Sequence, residues 1–242
     1  MPSCLAILIT EPCKHGKPWS GSDGTLRIGV HRRAGLPLLR YARAHCGRGM
    51  VVATTRATCF FDYTCGYSYR AWRWLSELAG VEVDWRTASL KELDRRDGEP
   101  SVFDEREQPR RSVLALALAH AARSSGHFER FHRATFHAMH AEQRMLGAQD
   151  LFDIAAGAGM DVAAFREKTG VWVDAAAAEH RAAVETWGVF GIPTLVLSED
   201  VAVFLKFSEP PAAGEDARRV WESVHVLAVS HPELLEIKRP VR

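Results

Sequence analysis

The chain has 242 residues and a formal net charge of +1, and its acidic and basic residues are interspersed, so charge gives no case for nucleic acid or an anionic membrane as the main partner. Its apolar content of 47% is ordinary for a globular protein, and no apolar run approaches the ~18 residues of a membrane span. The five cysteines (Cys4, Cys13, Cys46, Cys59 and Cys65) are odd in number and confined to the first quarter, which is not a secreted disulfide framework, and none has zinc spacing.

Residues 1–50 read as a leader, either disordered or non-native, with Met50 as an alternative start. "KHGKPWSGSDG" is polar and turn-forming, and "LAILI" is too short for the apolar core of a secretory signal. The expected compartment is therefore the cytoplasm, where lone thiols stay reduced.

From Val51 the chain becomes regular. "ATCFFDY" (57–63) is rich in β-formers and predicts a first strand. "GYSYRAWRWLSELAG" (66–80) predicts a helix with Gly80 as its C-terminal cap. "VEVDWRTASL" (81–90) alternates and predicts a second strand, parallel to the first through a right-handed crossover. "RRDGEPSVFDEREQPRR" reads as a solvated, charged connection. Ala-rich helical segments follow, with Asp150 and Asp161 near helix starts and Gly126 and Gly170 where helices stop. "TLVL" and "VAVFL" flank the turn "SED" as a hairpin, and "AGEDARRVWESVHVLAV" predicts a closing helix. The order β-α-β, helical block, β-β-α predicts a small mixed α/β sheet with helices on its faces.

Cys65 stands where the first strand hands over to the first helix. Backbone N–H groups at a helix start lack intrahelical partners and carry partial positive charge, which favours a thiolate over a thiol. Ser68, three residues on, is placed to donate to the sulfur. The competing reading is a small buried cysteine with no chemistry. Far along the chain, "GIPT" puts Pro193 at a strand start, where a proline is tolerated. A cis bond there would turn the N–H and C=O of Ile192 toward an extended substrate.

Taken together, "FFDYTCGYSY" and "VFGIPTLVL" resemble the active site and the cis-proline strand of the DsbA family of thioredoxin-fold oxidoreductases. The resemblance covers about residues 52–238, and the tail "VWESVHVLAVSHPELLEIKRP" is similar to the mycothiol-dependent nitroreductase branch. It implies a thioredoxin fold with residues 51–100 as its first half, 101–188 as an all-helical insertion, and 189–242 as its second half and tail. It also implies Cys65 as the attacking cysteine and Pro193 as the cis-proline. Two residues depart from the family pattern. Gly66 replaces a proline and loosens the turn. Ser68 replaces the resolving cysteine, which excludes an internal dithiol cycle at this motif and leaves a monothiol route. In that route an external low-molecular-weight thiol, mycothiol or glutathione, releases a mixed disulfide. The "CGYS" stretch also resembles the S-P-Y-S of kappa-class glutathione transferases and 2-hydroxychromene-2-carboxylate isomerases. That implies a thiol-dependent transferase or isomerase as an alternative, and a non-catalytic peptide-binding module is a third reading.

The expected site therefore comprises Cys65, Ser68 and Pro193 as catalytic residues. Tyr63, Gly66, Tyr67, Ile192 and Thr194 are expected to line the substrate cleft, with Asp62 as a proton relay. The expected partners are a small thiol and a disulfide or electrophile. No tightly bound cofactor, metal, nucleic acid or membrane is expected. Cys59, six residues back on a strand, lies beyond bridging distance and reads as core. His127, His132, His137 and His140 read as a solvated face or groove edge rather than a metal site. Trp72, Trp74 and Phe61 read as core, and Trp85 and Trp187 as core or the walls of an apolar pocket.

Overall fold

The computed structural model describes residues 55–239, so the expected leader lies outside the described residues. Strand β1 (Thr55–Phe61) lies parallel to β2 (Val81–Thr87), with helix α1 (Gly66–Leu75) between them in the chain. After the short α2 (Leu90–Leu93) come α3 (Arg111–Ser124), α4 (Phe128–Phe136), α5 (Ala148–Gly157), α6 (Val162–Glu167) and α7 (Thr169–Trp187). Strands β3 (Thr194–Ser198) and β4 (Val201–Phe204) and helix α8 (Glu215–Ser230) complete the chain. The sheet order is β2-β1-β3-β4, with β3 antiparallel to both its neighbours. The two halves of the sequence therefore meet in one mixed sheet, which neither strand pair would sustain alone. Among the described residues, no helix is long and apolar enough to cross a membrane.

Strand alternation sorts the core into two clusters. Ala57, Cys59 and Phe61 of β1 and Leu195 and Leu197 of β3 join the larger cluster, with Trp74, Trp85, Phe131, Phe136 and the apolar residues of α3. Phe60 and Val196 belong to the smaller one, with Cys65, Ala88, Ala183, Val189 and Ile192. Trp74 Nε1–H donates to Ala217 O at 3.0 Å and ties α1 to α8. Glu179 of α7 accepts from the Thr87 N–H at 2.6 Å and also meets His120, Arg86 and Arg123. Burial pushes its carboxyl up, but bonds from His120 and Thr87 and the nearby cations outweigh that and hold it at about 2.

Several element ends differ from the sequence reading. Strand β1 stops at Phe61 because the Asp62 carboxylate accepts from both the N–H and the hydroxyl of Thr64, which turns the chain. Helix α1 ends at Leu75, and Gly80 (φ 79°) serves the turn into β2 rather than the helix cap. Strand β2 stops at Thr87, because Ser89 caps α2 by accepting from the Glu92 N–H. Gly170 lies inside the first turn of α7, and it is Gly188 (φ 61°) that closes that helix. Past α4, residues His137–Ala141 wind as a π-turn, which the periodicity did not distinguish from α-helix.

Candidate active site

Asp62 builds the approach to Cys65. Its Oδ1 accepts from Thr64 N–H and Oγ1–H, both at 2.8 Å, and its Oδ2 accepts from Leu90 N–H at 2.9 Å. One carboxylate thus fixes the turn before Cys65 to the start of α2. Burial pushes its pKa up, and the Thr64 and Leu90 bonds oppose that shift. No hydrogen bond joins it to the sulfur. The expected proton relay is, in this geometry, a clamp on the loop.

Cys65 is the N-cap of α1, with extended backbone (φ −92°, ψ 114°) and no side-chain cap bond. Its own N–H donates to Asp62 O at 3.1 Å. Its thiol donates to Ile192 O at 3.6 Å, across 127 residues of sequence. The Ile192–Pro193 peptide is cis. The structure therefore brings the two distant motifs to one place. Cys65 shares the smaller cluster with Phe60, Ala88, Val189 and Ile192, and Leu90, Leu93 and Trp187 pack against that cluster. The residue is buried, with 5% of its surface exposed.

The remaining expected site residues divide. Gly66 is half-buried, and a Cβ there would meet nothing within 4 Å. Tyr67 is exposed and carries two cations against its ring, Arg70 and Lys206. Ile192 presents its carbonyl to the sulfur while its side chain is buried. Ser68 does not address the sulfur. It is fully buried, and its Oγ accepts from the Asp62 N–H at 3.4 Å. Tyr63 does not line a cleft either. It is fully buried, edge-on to Phe61, Phe131 and Phe136, with its hydroxyl 3.0 Å from His132 Nδ1. Thr194 faces inward, and its hydroxyl donates to Gly191 O at 2.7 Å.

The histidines also separate. His132 is core, not a solvated face, and burial holds its pKa well below the usual imidazole range. His140 Nε2–H donates to Tyr63 O at 2.7 Å, and its ring stacks on Tyr69. His127 pairs with Arg130 and His137 with Glu142. Among the described residues, no group of three His, Cys, Asp or Glu side chains is arranged to hold a metal ion. Trp85 is core beside Phe61 and His132, whereas Trp187 walls the Cys65 cluster. Cys59 is fully buried in the larger cluster, and burial pushes its thiol pKa far up. A cleft of about 660 Å³ on the helical block is lined by Arg130, Arg133, His137 and Arg144, but no residue of the Cys65 cluster contributes to it.

Sequence reasoning missed Phe204, Phe190 and Lys206. Phe190 is 76% exposed and edge-on to Phe204, and Lys206 stands over Phe204 as well as Tyr67. The signal available was position alone: Phe190 lies three residues before Pro193, and Lys206 two residues after the last strand.

The sequence matches the family model for the DSBA-like thioredoxin domain over residues 57–208. Among solved structures, a probable DsbA oxidoreductase from Streptomyces coelicolor is similar to this chain at 20% identity and a TM-score of 0.52, over 77% of this chain and 92% of its own. A thioredoxin-like oxidoreductase from Silicibacter pomeroyi is 25% identical with a TM-score of 0.47, over 70% of this chain and 83% of its own. No curated protein matches the sequence.

Proposed function

Because this chain belongs to the DSBA-like thioredoxin domain family and carries that thiol-disulfide oxidoreductase fold, we propose that it exchanges disulfides through one cysteine, Cys65. The observation that carries this reading is the meeting of Cys65 Sγ with Ile192 O at 3.6 Å, beside the cis-proline and at the start of α1. Cys65 is the N-cap of that helix, whose first N–H groups have no intrahelical acceptor.

The reaction runs in two exchanges. The Cys65 thiolate attacks one sulfur of a disulfide R–S–S–R; a Cys65–S–S–R bond forms, the original S–S bond breaks, and RS⁻ leaves. A second, external thiolate then attacks the R sulfur, regenerates the Cys65 thiolate and departs as a disulfide with R. Ser68 has no sulfur to offer and is turned to the Asp62 N–H, so the motif itself supplies no second thiol. The only other cysteine among the described residues, Cys59, is fully buried. A low-molecular-weight thiol of a reducing cytoplasm, glutathione or mycothiol, fits that role.

Intact mass after exposure to the oxidised form of either thiol, with peptide mapping, tests this. The expected result is an adduct at Cys65 that excess thiol removes and that Cys65→Ser cannot form. Tight thiol binding without an adduct, persisting in Cys65→Ser, would replace this reading with a non-covalent transferase or isomerase.

A further inference from the structure

Strand β4 runs into a segment that is tied to the cis-proline turn, whose Ile192 carbonyl faces Cys65. The Leu205 N–H donates to Pro193 O at 3.1 Å, so the next residue, Lys206, emerges beside the cis-proline turn. Its Nζ lies 5.1 Å from the Tyr67 ring centroid and 5.0 Å from that of Phe204. Tyr67 is two residues beyond Cys65. Phe204 packs so closely on Gly191 that a Cβ there would stand 2.9 Å from the ring. Gly191 in turn precedes Ile192, whose carbonyl faces the sulfur. Lys206 thus lies over two rings, Tyr67 of α1 and Phe204 of β4, the one close in sequence to Cys65 and the other packed on Gly191.

The same Tyr67 ring carries a second cation. The Arg70 guanidinium carbon lies 5.2 Å from its centroid, and Arg70 donates to Phe207 O at 3.2 Å. Among the described residues, neither Lys206 nor Arg70 has a carboxylate within ion-pair distance. Ring faces attract a cation but do not neutralise it. The segments that carry Cys65 and Pro193 therefore adjoin apolar ring surface with uncompensated positive charge on it.

We infer that Lys206 selects the charge of the molecule that reacts at Cys65, favouring thiols and disulfides that carry a carboxylate over neutral or cationic ones. The inference rests on the reading of Cys65 as the reacting thiol and deepens it: between the two candidate thiols it favours the anionic tripeptide glutathione. The rings of Tyr67, Phe204 and Phe190 would cover the apolar stem of such a molecule, and the ammonium would meet its carboxylate.

A pair of alkylating reagents isolates this effect. Iodoacetate is an anion and iodoacetamide is neutral, yet both react with the same sulfur, so the ratio of their rates at Cys65 cancels the reactivity of the thiolate itself. Rates are read at Cys65 by peptide mass, in the full chain at low salt. Lys206→Gln is expected to lower the iodoacetate-to-iodoacetamide ratio roughly fivefold, and Lys206→Glu further, with added salt narrowing the difference. A ratio that Lys206→Glu leaves unchanged overturns the inference.

A second arm uses glutathione disulfide against 2-hydroxyethyl disulfide. The variants are expected to slow adduct formation with the first and spare the second. If the alkylation ratio shifts but neither disulfide gives an adduct, the proposed exchange reaction falls and the charge selection by Lys206 stands. If both disulfides react and neither ratio moves, the inference about Lys206 falls and the exchange reaction stands. A Cys65 that no reagent reaches overturns both.

Discussion

His132 is an imidazole enclosed by aromatic rings. Phe61, Tyr63, Trp72, Trp85, Phe128 and Phe136 all pack against it, its Nδ1 meets the Tyr63 hydroxyl, and its Nε2 has no partner among the described residues. Burial favours the neutral ring, with the Arg123 charge acting in the same direction. The unfolded chain binds a proton at this residue near pH 6.5, and the folded chain does so only at much lower pH. The unfolded state therefore gains protons first, and stability is lost as pH falls below about 6.5, by at most ~1.4 kcal/mol per pH unit for this one group. His140 and His180, also held down by burial, add the same sign, whereas the raised Asp62 opposes it at lower pH. Urea unfolding at pH 7.5 and 5.5 is expected to show the loss, and His132→Phe to flatten part of it. Equal stability at the two pH values would show that this ring titrates freely. At this scale the sequence was only partly legible. Cys65 and Pro193 stood out because residue type and position each carried a physical reason. Tyr63 and Ser68 were misplaced because adjacency to a cysteine says nothing about which way a side chain points. Tyr63 follows the turn set by Asp62 into the larger core, and Ser68 turns back to the Asp62 N–H.

At the scale of elements, α1 begins with a residue that contributes little to its own helix. Gly66 sits at the first helical position, where its N–H needs no intrahelical acceptor, and nothing crowds its missing Cβ. The preceding Cys65 is extended, the conformation a following proline requires. Gly66→Pro is therefore expected to stabilise the fold by about 0.4–1 kcal/mol, mainly by restricting the unfolded chain. A thermal melt should rise by roughly 1–4 °C; a fall would show that the turn needs glycine's freedom. Strand and helix interiors were legible because alternation and helical spacing follow directly from burial, as the two-sided β1 shows. The ends were not. Asp62 and Ser89 stop their strands with side-chain bonds that compete with the ladder, and no apolar pattern records that competition. Helix α2 was hidden for the same reason: its first residue was read as the end of the second strand, whereas Ser89 caps it and Glu92 binds the Val102 N–H.

At the scale of the molecule, the order β-α-β, helices, β-β-α sufficed to give a mixed sheet, because parallel crossovers and hairpins leave few ways to join two strand pairs. What the order could not give was the side of that sheet on which each cysteine falls. Cys59 lies in the larger cluster and Cys65 in the smaller. Thiol labelling resolved by peptide mass should therefore separate them. Cys65 is expected to react in the native protein, and faster with a small reagent than with a bulky one, as its 5% exposure requires. Cys59 should react only along the global unfolding curve in denaturant. Native labelling of Cys59 would mean that the larger core opens locally.

This separation also bears on oxidative damage. Peroxide arriving at Cys65 would convert it to a sulfenic acid, and in many redox proteins a neighbouring thiol condenses with that species before it is oxidised again. Here the nearest cysteine in the chain, Cys59, lies sealed in another cluster, and the position three residues on holds a serine. Among the described residues, no second accessible thiol is therefore at hand to condense with it. Among the described residues, survival of the sulfenic acid short of sulfinic acid then depends on how fast a dissolved thiol arrives.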